Sequence, residues 1–265
     1  MKVSVIIPTI GRESLKRCVQ SVLNQTLQAG EILIVVDESK CDIQAVNTLL
    51  QKSELIRVIR SNSSGVSAAR NSGVSNSIFE LVAFLDDDDE WVEKKLESQM
   101  NTLTSRNLNQ SDRFLLSSRT LYVGPSTCFL QPIVVYEGAN ILKAIYNLSW
   151  QRVRVCLPTP TFLLPRWVAH ETKFDERLVL REDIMWMHQL EINHVKIIQT
   201  NEVLSLVSYN PVRSRENESI FALLQTFRSI REFNTLIALK FFFGVGFRSL
   251  ALKYVVRFTK SILQR

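Results

Sequence analysis

Glycine, cysteine and histidine are all scarce in this chain, and each scarcity narrows the chemistry open to it. Eight glycines among 265 residues form no glycine-rich phosphate loop near the start, which counts against a nucleotidyltransferase and leaves that activity as an alternative only. The four cysteines, Cys18, Cys41, Cys128 and Cys156, lie far apart with no Cys-x-x-Cys pair. Neither a zinc framework nor a disulfide-dense secreted scaffold is expected, and buried thiols in a reducing compartment are. His170, His188 and His194 lack a close metal-ligand spacing and read as structural or surface residues. The opening apolar run stops at Pro8, too short for a signal peptide or a membrane span, so a cytoplasmic location is expected. Internal repeats and low-complexity segments are also missing.

What is present begins with enough apolar material, 46 %, to bury one substantial core. The net charge of +6 is unevenly placed. Lys240, Arg248, Lys253, Arg257, Lys260 and Arg265 fall in residues 240–265 with no acidic residue among them. There Phe247, Leu250, Ala251, Tyr254, Val255, Phe258 and Ile262 share one helical face opposite Lys253, Arg257 and Lys260, the pattern of a basic amphipathic helix. It fits either an anionic membrane surface, giving a peripheral position on the inner face of the cytoplasmic membrane, or a helix packed on the main domain. Nucleic acid is not expected as a partner, because no aromatics interleave with the basic face.

The first half alternates β-rich apolar runs with helical patterns, as β-α-β units and a parallel sheet require. Strands are predicted at Val3–Ile7, Ile32–Val36, Leu55–Ile59 and Leu81–Leu85. Leu15, Cys18, Val19, Val22 and Leu23 make one apolar helical stripe, and further helices are predicted at Ile43–Gln51, Val66–Asn76 and Trp91–Arg106. Prolines break up the stretch from Phe114 to Trp167, where mixed strands and one helix near Ala139–Leu148 are expected. A helix at Asp183–Glu191, a strand at Val195–Gln199 and a helix at Ile220–Phe233 follow. The fold class is α/β, with a mostly parallel central sheet flanked by helices and a C-terminal helical extension. Residues 1–215 form the main domain, with a donor half of about 1–110 and an acceptor half of about 111–215; residues 216–265 form the extension.

The most telling segment is Asp86-Asp87-Asp88-Asp89, followed by Glu90, directly after the buried run Val82–Leu85. Adjacent carboxylates repel and raise one another's pKa, an arrangement a divalent cation relieves; all-oxygen ligands favour Mg²⁺ or Mn²⁺. The carboxyl end of a strand is also where open α/β sheets place ligands. The alternative is a solvated acidic turn at a helix N-terminus. An EF-hand loop is excluded, since Trp91 stands where its sixth-position glycine belongs.

Taken in order, several segments resemble the family 2 glycosyltransferases of the GT-A fold. They are Ser4-Val5-Ile6-Ile7-Pro8-Thr9, Ser21-Val22-Leu23-Asn24-Gln25-Thr26, Ile34-Val35-Val36-Asp37-Glu38-Ser39, Gly65 to Gly73 around Ala69-Arg70-Asn71, Phe84 to Trp91, and Arg181-Glu182-Asp183. The resemblance implies a nucleotide-diphosphate sugar as donor and a glycan or lipid-linked acceptor. It places Pro8, Thr9, Asp37 and Glu38 at the base and ribose, although members usually carry Asp-Asp-Gly-Ser where this chain has Asp37-Glu38-Ser39. Arg70 would meet the diphosphate. The Asp-x-Asp motif falls on Asp86, at the ribose, and Asp88, at the Mn²⁺ or Mg²⁺, with a shift onto Asp87 and Asp89 left open. Asp183 becomes the general base, and transfer proceeds with inversion. Trp150-Gln151-Arg152-Val153-Arg154 resembles part of the motif of processive synthases but lacks its final tryptophan, so non-processive transfer is expected. A nucleotide-sugar-binding protein without turnover is the other alternative.

Overall fold

The computed structural model describes residues 1–132, 135–136, 138, 140–145 and 157–209. In chain order the strands and helices are β1 (Val3–Thr9), α1 (Leu15–Leu23), β2 (Glu31–Val36), α2 (Ile43–Leu49), β3 (Ile56–Arg60), α3 (Val66–Asn76), β4 (Leu81–Phe84), β5 (Glu90–Trp91), α4 (Lys95–Ser105), β6 (Phe114–Val123), β7 (Cys128–Gln131), α5 (Ile141–Ile145), β8 (Leu163–Pro165), α6 (Arg166–Glu171), α7 (Glu182–Ile192) and β9 (Lys196–Ser208). Among the described residues nine strands make one sheet in the order β3-β2-β1-β4-β8-β6-β9-β5, with β7 paired to β6.

The first half is the parallel part, β3-β2-β1-β4. Every residue of β1 and β2 is buried, because helices cover both faces and leave no solvated side for polar alternation. Successive side chains of β1 therefore serve two cores. Ile6 joins Leu33, Val35, Phe84 and Ala69 on one face, while Val5 and Ile7 join Leu15, Cys18, Val19 and Val22 of α1 on the other. Helix α3 lies against β1 so closely that a Cβ at Gly73 would collide with Ile6 Cγ2. That close approach, available only to glycine, seats Arg70 one turn earlier at the carboxyl edge of the sheet.

The second half is mixed. β8 runs antiparallel to β4 and to β6, and β9 runs parallel to β6. The predicted helix Trp91–Arg106 begins only at Lys95, since Glu90 and Trp91 pair with Leu206 and Ser205 as β5. Trp91 is nearly buried and donates from Nε1 to Pro160 O at 2.7 Å; that anchorage overrides the helical spacing. The strand predicted at Val195–Gln199 continues to Ser208, passing register shifts between Ser117 and Thr120 on its neighbour β6. The helix near Ala139–Leu148 is seen as α5. The helix at Ile220–Phe233, the basic tail, the 216–265 extension, Cys156 and Trp150–Arg154 lie outside the described residues. Among the described residues no helix is long and apolar enough to cross a membrane.

Candidate active site

The carboxyl ends of β1, β2 and β4 bring three sequence-distant segments together. Thr9 ends β1 beside Val36, and Asp37 N–H donates to Thr9 O at 3.0 Å. Pro8 is buried in β1. It brings no N–H, but β4 pairs with β1 only as far as Ile6, so the missing donor falls beyond the β4 ladder.

Asp37 is 5 % exposed, and its carboxylate ties the loop after β2 to the start of α3. Oδ1 accepts from Ser39 N–H and its hydroxyl, and Oδ2 accepts from the Ser64 hydroxyl at 3.1 Å and Gly65 N–H at 2.8 Å. Burial alone would raise this carboxyl, but these four hydrogen bonds outweigh it and hold it below the usual range. Gly65 has φ of 105°, a backbone state that glycine adopts without strain. Glu38 stands apart, exposed and paired with Arg60 at 2.9 Å.

The four aspartates after β4 alternate. Asp87 is 3 % exposed: Oδ2 accepts from Thr9 Oγ1 at 2.7 Å and Ile10 N–H at 3.3 Å, and Oδ1 accepts from Arg12 Nη1. Asp89 is also buried and accepts from Ser208 N–H at 2.9 Å; burial, then the charge of Asp86, lifts its carboxyl well above the ordinary range. Asp86 and Asp88 each keep 30 % of the side chain exposed. The run thus offers two carboxylates outward and uses two to tie the loop to β1 and β9.

Behind the loop Arg70 is 2 % exposed. Its Nη2 donates to Asp86 Oδ1 at 2.7 Å and its Nη1 to Glu182 Oε1 at 2.8 Å, with the Phe174 ring centroid 5.3 Å from Cζ. Burial disfavours the guanidinium charge, but Asp86 and then Glu182 outweigh it and raise the pKa. Arg70, expected at a diphosphate, is therefore committed to two carboxylates. Asn71 exchanges two hydrogen bonds with the Phe174 backbone, each at 2.9 Å. Phe174 stacks on Trp186 of α7 at 4.1 Å, so one helix segment, Arg70-Asn71, positions both the loop before α7 and its first residue.

Helix α7 starts from Arg181, whose φ of 62° is left-handed and costly for a non-glycine residue. Glu182 turns to Arg70 and Asp183 does not; Asp183 Oδ1 accepts from Ile184 N–H at 2.8 Å. Burial, with Glu182 adding and Arg70 opposing, pushes the Asp183 carboxyl up to about 7.

The structure thus gathers Pro8, Thr9, Asp37 and Asp86 to Asp88 along one sheet edge and joins Arg70 to the start of α7, while Glu38 lies to the side. Sequence reasoning missed Arg12 and Ser208, whose partners lie 75 and 119 positions away. Among the described residues no three His, Cys, Asp or Glu side chains make a metal cage by themselves. The outward pair Asp86 and Asp88 does fit Mg²⁺ or Mn²⁺, hard cations commonly held by one or two carboxylates together with substrate phosphates and water.

Residues 4–113 match the model described as Glycosyl transferase family 2. An uncharacterized glycosyltransferase of Rickettsia felis is 39 % identical over 107 residues, 40 % of this chain and 18 % of that protein; this chain matches under a fifth of its length. The Escherichia coli UDP-Glc:alpha-D-GlcNAc-diphosphoundecaprenol beta-1,3-glucosyltransferase WfgD is 29 % identical over 206 residues, 77 % of this chain and 75 % of that one. In three dimensions, Staphylococcus aureus TarS solved with UDP-GlcNAc superposes with a TM-score of 0.66 at 19 % identity, covering 91 % of this chain and 66 % of that one. With the sheet order, these matches tie residues 4–113 to glycosyltransferase family 2 and give the chain the GT-A fold.

Proposed function

We propose that this chain transfers a sugar, with inversion and one residue at a time, from a nucleotide-diphosphate sugar to a hydroxyl of a glycan or lipid-linked acceptor in cell-surface polysaccharide synthesis. The observation that carries this reading is the Arg70 bridge, which binds the donor-side Asp86 and the α7 start bearing Asp183 into one charged cluster. The name of WfgD supports a lipid-linked acceptor, and the TarS complex supports a uridine nucleotide.

In this mechanism Pro8, Thr9 and the Asp37 loop form the edge where base and ribose rest, and Asp86 faces the ribose. Asp183, with its proton affinity near neutrality, takes the acceptor hydroxyl proton as the new C1–O bond forms. The C1–O bond to the diphosphate breaks on the opposite face, and the electron pair leaves with the nucleoside diphosphate. A Mn²⁺ or Mg²⁺ ion held by Asp88 beside Asp86 would offset that growing negative charge. Arg70 acts as a positioning residue, since it keeps Asp86 and Glu182 in place.

A panel of nucleotide-sugars screened for thermal stabilisation with and without Mn²⁺ tests the donor assignment. At least one donor is expected to stabilise the protein, and Asp88→Asn is expected to remove the Mn²⁺-dependent part; silence across the panel sinks the proposal. The charge pattern of residues 240–265 supports attachment to an anionic membrane, where each basic residue near the surface contributes about 1 kcal/mol. Flotation with acidic-lipid vesicles should then exceed that of a chain ending at Leu239, and equal flotation rejects attachment.

A further inference from the structure

Among the described residues two arginines at the aspartate loop have no part in that mechanism: Arg17, which donates to the Asp88 backbone carbonyl and pairs with Glu90, and Arg12, which reaches the carboxylates themselves. Arg12 follows Gly11, whose φ of 80° is left-handed and whose N–H donates to Thr9 Oγ1 at 3.0 Å, so the loop between β1 and α1 is wound tightly against the end of β1. From it Arg12 Nη1 reaches both Asp87 Oδ1 and, at 3.1 Å, Asp88 Oδ2. The two contacts differ in kind. Asp87 is 3 % exposed and is also gripped by Thr9 and Ile10, so that end is desolvated and durable. Asp88 and Arg12 are each 30 % exposed, and ion pairs open to water contribute only about 0–1 kcal/mol, so that end is exchangeable.

We propose that Arg12 is the internal cation of the aspartate loop. It shares Asp88 with the divalent ion, gives Asp88 up when the ion enters, stays anchored on Asp87, and turns its remaining N–H donors to the donor diphosphate. A guanidinium has five donors in a fork that matches phosphate oxygens, and two contacts on a single nitrogen leave most of that fork unused. The family resemblance placed the diphosphate contact on Arg70; burial turns Arg70 away from that task, and Arg12 is a partly exposed arginine that grips the carboxylates of the same loop. The assignment rests on the nucleotide-sugar reading above.

Two opposite shifts test it. Without nucleotide, Mn²⁺ titrated into the protein and followed by the free-ion EPR signal should bind about tenfold more tightly to Arg12→Gln than to the parent, because the competing cation is gone. With Mn²⁺ held at a level that saturates both proteins, whichever of UDP, GDP, CDP and dTDP binds the parent best by calorimetry should bind Arg12→Gln about tenfold more weakly. Arg12→Lys keeps the charge without the fork, so it should hold Mn²⁺ affinity near the parent value and still lose diphosphate affinity. It also provides the test if the glutamine variant does not fold. Unchanged or weaker Mn²⁺ binding in folded Arg12→Gln, or full diphosphate affinity in Arg12→Lys, overturns the proposal. A parent that shows no cation-assisted affinity for any of the four nucleotides overturns the donor reading itself, and Arg12's role with it.

Discussion

Asp183→Asn is expected to lower the transfer rate by about 10²–10⁴-fold, the usual contribution of a positioned base, while nucleotide affinity stays near the parent value. The same change is expected to raise the melting temperature at and above neutral pH. In the folded protein the carboxyl is raised to about 7, against about 3.9 in an unfolded chain. Between those values the folded state holds the extra proton, so stability falls as pH rises from about 4 to 7 and stays low beyond. Asparagine keeps the shape and removes that loss. For the parent, kcat/KM should climb through about pH 7 as Asp183 ionises. A variant that turns over normally, or a profile already flat by pH 5, would remove Asp183 from the reaction. A binding protein without turnover would show intact function in the variant.

Arg70→Met is the second large effect. It leaves the Glu182 carboxylate, 14 % exposed, and the Asp86 carboxylate without the guanidinium between them, and breaking a buried pair from one side costs about 3–5 kcal/mol. Urea denaturation should show a loss toward the lower end of that range, because Asp86 is partly solvated, and transfer should fall with it. The double variant Arg70→Met/Glu182→Gln separates the two roles: stability should return in part, since no unpaired charge stays buried at α7, while transfer stays low because Asp86 lacks its brace. Full recovery of transfer would show that Arg70 serves the fold alone.

Much of the parallel first half was legible. Val66–Asn76 was read with the bounds the structure shows, and the four parallel strands were placed within a residue or two, because a buried β-α-β unit leaves strong local periodicity. Trp91 shows the limit: its spacing fits a helix, and only the partner strand β9, more than a hundred residues later, turns it into β5. The irregular stretch after Phe114 gave little, since its strands take their partners from distant segments.

The aspartate run and the Arg-Glu-Asp triplet were visible as chemistry, but not how each carboxylate is used. Sequence cannot tell which of four identical neighbours face water; the backbone turn after β4 decides it, sending Asp87 to Thr9 and Asp89 to Ser208 and leaving Asp86 and Asp88 outward. Nor could it tell Arg12 from Arg70, since both are arginines near the same sheet edge.

By itself, then, the sequence determined the parallel sheet and the acidic strand tip, because apolar period and clustered charge are local properties; the candidate base came from the family resemblance. Tertiary structure alone decided the division of labour among the charges. Desolvation and ion pairing depend on which side chains meet across 75 to 112 positions of chain, and only the folded sheet brings those side chains within hydrogen-bonding distance.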